Sequence, residues 1–387
     1  MTVFSTYDET ALAALSRQSA AIARVFANAG FARIEPPILQ PADVFLDRSG
    51  EEIRRRTYVF TDPGGEELCL RPDLTIPTMR AFLAGGARTA RLAYDGPVFR
   101  YQMLSPDKPA QFLQAGGEIL GSNGGAADDA EIMALAMQSL TDCGLTSVDA
   151  KMGDLALFSA LVDGLALPAP LSARLKRHFW RPDYFRDLLK RLADGGDTGG
   201  ALVRVLGGLP EAEARAVLRD VFAVAGVKPQ GTRSPEEITE RFLEKAADAS
   251  AARLPRTAAE LLTGFLDISA PAPDALIRIR ALAKAGNVDL DATLEAFSRR
   301  LDLLRQRGLD PSRITFSAQF GRNMEYYTGF VFELWGRDAQ GPVQIAGGGR
   351  YDGLARALGA PVGIPAAGCA IRTERLLNAV AQQGARA

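Results

Sequence analysis

The chain has 387 residues with 45 Lys+Arg against 46 Asp+Glu, long enough for two domains or for one large core carrying an inserted lobe. A hydrophobic share of 47% and a charged share of 24% are those of a soluble globular protein, and a net charge of -1 argues against a broad nucleic-acid footprint, which calls for a basic excess. One histidine, His178, and three widely spaced cysteines, Cys69, Cys143 and Cys369, cannot assemble a Cys/His zinc set, so no metal and reduced thiols are expected.

The first residues, Met1 to Asp8, lack the charged and apolar regions of a signal peptide. No apolar run approaches the roughly 20 residues of a membrane span, so a cytoplasmic location is expected. From Asp8 to Ala29 the chain is Ala-rich, with Leu12, Leu15, Ile22 and Val25 at helical spacing, and Gly30 stands where a helix end favours a left-handed residue. Phe31 to Ile34 opens an extended segment that Pro36-Pro37 keeps from turning helical. Glu67 to Arg71 alternates polar and apolar as a strand does, and Thr75 to Leu83 reads as a helix capped by Asp73 or Thr75. Arg91–Tyr101 and Gln111–Leu120 form a long antiparallel hairpin, because Ser105-Pro106-Asp107-Lys108-Pro109 between them has turn chemistry.

Asp128 to Cys143 reads as a capped helix ending before Gly144. Residues 154–310 then turn Ala-, Leu- and Arg-rich with helical periodicity, broken at Pro168-Ala169-Pro170, Gly195-Gly196 and Pro271-Ala272-Pro273, and are expected to form a helical insertion. Strands resume at Ile314–Phe320, Thr328–Trp335 and Pro342–Ala346, and a final helix is expected from Ala366 to Ala381. The order predicts an α+β fold: an antiparallel sheet flanked by helices, built from 1–153 and 311–387 and interrupted by 154–310.

Several side chains stand out from core composition. Alternation puts Gln114 and Glu118 on one strand face with Gly116 leaving room between them, and a buried-facing glutamate beside Gly-Gly points to a ligand. Asp73 and Thr75 offer an anionic and a neutral acceptor, the pair an ammonium needs, although Asp73 can equally cap the following helix. Near the end of the chain come Glu325-Tyr326-Tyr327-Thr328-Gly329 and Gly347-Gly348-Gly349-Arg350-Tyr351-Asp352-Gly353-Leu354. Together they resemble the two histidine-recognition signatures of histidyl-tRNA synthetase.

The resemblance extends over about 1–150 and 311–387. Gly30 to Leu39 is similar to motif 1 of the class II synthetases, a dimer-interface segment in that family. Leu70-Arg71-Pro72-Asp73-Leu74-Thr75 resembles the family's Leu-Arg-Pro-Glu-Gly-Thr. Gly96 to Gln102 resembles motif 2, with Arg100 kept and Gln102 in place of an acid; Lys108 is the one basic residue of the loop that follows. Gln111-Phe112-Leu113-Gln114, with Glu118 four residues on, matches the returning strand. Gly368 to Arg375 resembles motif 3, with Arg375 kept and Arg372 in place of a glycine.

The resemblance implies a class II synthetase-like fold and a histidine pocket. In it, Asp73 and Thr75 would hold the amino group, Gln114 the polar end of the amino acid, and Arg100 and Arg322 the carboxylate region. Glu118 and Tyr326 or Tyr327, the latter fitting the family better, would meet the imidazole, and Tyr351 would close the wall. Gln102 and Arg372 depart from the pattern on the nucleotide side; Arg372 either fills the nucleotide's space or turns outward. The chain also stops at Ala387, where synthetases continue into an anticodon-binding domain.

These departures match the histidyl-tRNA synthetase-like paralogues that serve as regulatory subunits of ATP phosphoribosyltransferase. They imply a non-catalytic chain without a cofactor that self-associates as a dimer and binds no nucleic acid. It would activate a short-form catalytic subunit in the first step of histidine biosynthesis and mediate feedback inhibition by L-histidine. The alternatives are a truncated enzyme that forms histidyl-adenylate and a stand-alone histidine-binding protein.

Overall fold

The structure, a computed structural model, describes residues 6–46, 56–101, 109–179, 182–194, 205–206, 209–224, 239, 243, 253–320 and 326–385. Two compact units result. The first joins Met1–Phe158, Asp267–Ala281 and Leu290–Ala387, and the second joins Ser159–Leu266 and Leu282–Asp289. Residues 154–310 are therefore divided between the units.

In the first unit, helix α1 (Glu9–Asn28) starts at Asp8, whose side chain accepts from the Ala11 amide at 2.8 Å. It buries Leu15, Ile22, Val25 and Phe26, while Leu12, expected on the same face, is exposed. Gly30 takes φ +82° just past the helix end, as the sequence requires. Short strands β1 (Ala32–Arg33), β2 (Leu39–Pro41), β3 (Tyr58–Thr61) and β4 (Glu67–Leu70) follow, with one helical turn, α2 (Asp43–Leu46), after β2. Then come α3 (Thr75–Gly85), the hairpin β5 (Ala90–Phe99) and β6 (Gln111–Leu120), α4 (Ala126–Asp142) and β7 (Asp149–Asp154). The hairpin is antiparallel in continuous register from Ala90↔Leu120 to Phe99↔Gln111.

Helix α5 (Leu155–Gly164) leads into the second unit, which holds α6 (Ala169–His178), α7 (Pro182–Asp194), α8 (Glu211–Val224) and α9 (Arg256–Leu266). Its core includes Leu175, Leu188, Leu262 and Phe265, with Phe179 and Phe185 edge to face at 5.8 Å. The chain re-enters the first unit with β8 (Ser269–Pro271) and most of α10 (Ala272–Ala285), and continues there with α11 (Asp291–Gln306), β9 (Ile314–Ser317), β10 (Phe330–Asp338) and β11 (Gly341–Arg350). A single turn, α12 (Leu354–Ala357), precedes β12 (Ala366–Arg372) and α13 (Thr373–Gly384).

Among the described residues, the first unit carries a nine-stranded sheet in the order β1-β5-β6-β12-β11-β10-β7-β9-β8 and a three-stranded sheet, β2-β4-β3. Pairing is antiparallel except for β1 with β5 and β7 with β9. Helices α1, α4 and α13 lie on the large sheet, and α11 packs on α4.

Three expectations are corrected. Ala366 to Arg372 is a central strand, not the start of the last helix, which begins at Thr373. Its small residues read as helix formers, but pairing on both sides with β6 and β11 overrides that weak preference. The strand expected to stop at Ala346 runs on through Gly347–Gly349 to Arg350. Helix α4 begins at Ala126 with Gly125 at the cap position, which has no side chain to offer, so Asp128 and Asp129 lie inside its first turn.

Candidate functional site

Strand β6 builds the floor. Its alternation places Phe112, Gln114, Gly116 and Glu118 on one face, as read from the sequence. Gly116 is required there: a Cβ would sit 2.0 Å from the Cys369 carbonyl oxygen of β12. Gly368, opposite Glu118 in the β6–β12 pairing, is required too, since its Cβ would fall 1.3 Å from Glu118 Oε2.

The segment between β4 and α3 supplies a second wall. Arg71 is buried and donates to the Pro97 carbonyl at 2.8 Å and to the Pro36 carbonyl, which fixes the turn that carries Asp73. Asp73 Oδ1 accepts from the Ile76 amide at 3.1 Å, so Asp73 does hold the helix start. Its Oδ2 is buried and has no hydrogen-bond partner among the described residues, and the same is true of Gln114 Oε1. Burial pushes the Asp73 carboxyl up, against the lowering pull of Arg100 and of the Ile76 and Thr75 amides.

Aromatic residues form the third wall. Tyr326 and Tyr327 lie 4.8 Å apart between centroids, and both pack edge-on to Tyr351, at 5.6 and 6.4 Å. Both line the pocket, so the choice the sequence left between Tyr326 and Tyr327 does not arise as one inside and one outside. Tyr351 is held from its neighbours. Arg350 donates to Asp129 at 2.8 Å, to the Gly125 carbonyl at 2.7 Å and to Asp352 at 3.1 Å. Asp129 in turn takes Arg300 at 3.0 Å, and Arg300 also pairs with Asp154 at 2.9 Å. Arg350, Asp129, Arg300 and Asp154 are largely buried, so each depends on its partners.

These walls line a pocket that opens to solvent. Seven of the nine residues expected from the sequence line it: Asp73, Thr75, Arg100, Gln114, Tyr326, Tyr327 and Tyr351. Gly347, Gly368, Cys369 and Ala370 complete the lining. Glu118 is not on the lining. It lies behind it, 1% exposed, taking the Tyr94 hydroxyl at 2.8 Å, the Tyr351 hydroxyl and the side chain of Thr75. Burial pushes its carboxyl up to about 7, with the three hydroxyls pulling it down and Asp73 adding to the rise. Arg322 and Gln102 fall outside the described residues.

Tyr94 was missed in the sequence. It sits opposite Gly116 in the β5–β6 register, and only that register, not the residue type, marks it. Arg350, Asp129 and Arg300 were missed because the partners are far apart in sequence.

At the other end of β6 the ring of Phe112 is flanked by cations, with Arg372 centred 4.4 Å from it and Arg100 5.3 Å. Arg372 thus packs on the chain's own aromatic ring. Arg375 donates to the Gln344 carbonyl at 3.0 Å. No group of His, Cys, Asp and Glu among the described residues could hold a metal ion, and no described helix is long and apolar enough to cross a membrane.

A family model described as histidyl-tRNA synthetase matches residues 4–376. The chain is 36% identical over 356 residues to the ATP phosphoribosyltransferase regulatory subunit of Brucella anthropi, covering 90% of this chain and 93% of that one. The Brucella canis protein of the same name is 37% identical over 363 residues, covering 89% and 92%. The chain belongs to the family of histidyl-tRNA synthetase-like ATP phosphoribosyltransferase regulatory subunits. The family's fold is also that of solved neighbours. A Bacillus halodurans protein described as ATP phosphoribosyltransferase regulatory subunit/histidyl-tRNA synthetase aligns with a TM-score of 0.66 at 21% identity, over 98% of this chain and 83% of that one. Histidyl-tRNA synthetase from Nostoc sp. PCC 7120 aligns at 0.63 and 17% identity, over 99% and 75%.

Proposed function

We propose that this chain is a non-catalytic regulatory subunit that binds L-histidine in the tyrosine-walled pocket and acts on a short-form ATP phosphoribosyltransferase catalytic chain. Docking activates the partner, and histidine binds the states of the complex unequally and lowers its activity. A coupling of about 1–3 kcal/mol is the usual size of such linkage.

The observation that carries the ligand assignment is the pair of buried, unpartnered acceptors, Asp73 Oδ2 and Gln114 Oε1, on the lining of one pocket. Leaving such atoms unpaired is costly unless a donor arrives from outside, and an α-ammonium supplies several. Arg100 on the same lining suits the α-carboxylate, and the three tyrosines enclose a flat ring. The relatives' names supply the partner. Self-association through the segment from Gly30 to Leu39 completes the proposed assembly.

Arg372, which stands in place of the motif 3 glycine and packs on the ring of Phe112, supports the non-catalytic reading. Phosphoribosyl-ATP formation by the catalytic chain, with and without this protein and across a histidine titration, tests the proposal. Activation reversed by histidine is expected. Histidine-dependent ATP–pyrophosphate exchange by this chain alone would favour the adenylate-forming alternative instead.

A further inference from the structure

The aromatic wall comes from two chain segments that meet beyond the β10–β11 ladder. The last paired positions at that end are Val331 and Gly349, so Tyr326 and Tyr327 on one side and Tyr351 on the other lie past them. Thr328 joins the two segments. Its amide donates to the Arg350 carbonyl at 2.9 Å, and its hydroxyl oxygen accepts from the Asp352 amide at 3.0 Å. Thr328 therefore grips the residue before Tyr351 and the residue after it, while it follows Tyr327 directly in the chain.

The gripped segment is itself anchored. Asp352 Oδ1 accepts from the Ala366 amide at 2.9 Å and from Arg350 at 3.1 Å, and the Tyr351 amide donates to the Ala366 carbonyl at 2.8 Å. Gly349 permits the close approach: a Cβ there would lie 2.3 Å from the Phe330 carbonyl oxygen and 3.0 Å from the Tyr327 ring. Thr328 is exposed and does not line the pocket. Its hydroxyl thus adds nothing to the core and nothing to the lining, and what it fixes is the spacing of the two segments.

We infer that Thr328 is a positioning residue, whose hydroxyl closes a clasp on the Asp352 amide and holds Tyr326 and Tyr327 against Tyr351 before a ligand enters. The inference rests on the histidine-pocket reading above and deepens it. With the clasp closed, the wall is ordered in advance, and binding does not have to supply that ordering. With the hydroxyl removed, the same side chains line the pocket, but the two segments are free to separate and affinity falls.

The test is calorimetric titration of L-histidine into the wild type, Thr328→Val and Thr328→Ser, with thermal melting of each protein free of ligand. Valine keeps the branched shape and removes the hydroxyl; serine keeps the hydroxyl and removes the methyl group. Thr328→Val is expected to weaken histidine binding about fivefold, within the range of one hydrogen bond, and Thr328→Ser to stay within about twofold of the wild type. The melting midpoint of Thr328→Val is expected within about 2 °C of the wild type, as for an exposed side chain.

Unchanged affinity in Thr328→Val, with the wild type binding histidine, would overturn the inference and leave the pocket standing. Equal weakening in Thr328→Ser would assign the effect to the methyl group, which faces Gly353, and would also overturn it. So would a midpoint lowered by about 5 °C or more, because the hydroxyl would then hold the fold rather than the wall. No binding of histidine by the wild type would overturn the underlying reading, and the inference with it.

Discussion

The two ends of strand β6 face the same side of the sheet and have opposite fates. At the Glu118 end, the Tyr94 and Tyr351 hydroxyls are tied to a buried carboxylate while Asp73 and Gln114 keep acceptors without partners among the described residues. At the Phe112 end, the ring is flanked by Arg372 and Arg100. One end keeps buried acceptors without a partner among the described residues; the other has its aromatic face packed against the chain's own cations.

The comparison can be broken at its midpoint. Gly116→Ala puts a methyl group 2.0 Å from the Cys369 carbonyl of the paired strand, where neither backbone can yield. It is expected to cost about 3 kcal/mol or more of stability. Thermal melting checks this, and an unchanged midpoint would mean that the two strands are not packed as described.

Next in size is the acceptor end. Asp73→Asn keeps an oxygen to hold the Ile76 amide but turns the pocket-facing atom into a donor. Histidine affinity should fall roughly 30-fold, the range for losing a charge-assisted hydrogen bond and gaining a repulsive contact. Calorimetry reads this directly, and an unchanged Kd would remove Asp73 from the site.

The buried carboxylate also makes stability depend on pH. Glu118 is raised in the folded chain from its ordinary 4.5 to about 7, so the folded state holds the proton more tightly than the unfolded one. The stability linked to that proton is fully present below the ordinary value and is lost as pH rises through about 7. Between about pH 5 and pH 8 this amounts to on the order of 2–3 kcal/mol. Melting curves of the wild type should fall across that window more steeply than those of Glu118→Gln. Parallel slopes would contradict the shift.

The smallest effect belongs to the closed end. Arg372→Gly uncovers Phe112 but removes nothing that lines the pocket, so histidine affinity should stay within about twofold. A loss as large as that of Asp73→Asn would place Arg372 in the ligand site and erase the contrast between the two ends.

The contrast was only partly legible in the sequence. Two extended stretches joined by a link of turn composition pointed to the β5–β6 hairpin, and alternation along Gln111–Leu120 to the shared face of Gln114 and Glu118. Alternation says which face a side chain takes, not what stands around it: Glu118, expected to meet a ligand, is buried against the hydroxyls of Tyr94 and Tyr351. Tyr94 needed the register with Gly116 to be seen. Ala366 to Arg372 misled because a central strand of small residues has no polar alternation and reads as helix until its two neighbours are known. The Arg300–Asp129–Arg350 chain joins residues 171 and 221 positions apart, which no local pattern reveals.

The most direct test of the whole account is phosphoribosyl-ATP formation by a competent short-form catalytic chain, assayed with the wild-type protein and with Asp73→Asn across a histidine titration. Both proteins should activate the partner, and only the wild type should let histidine at ordinary inhibitory concentrations reverse the activation. Equal inhibition with both would move histidine out of this pocket, and no activation by either would contradict the regulatory role itself.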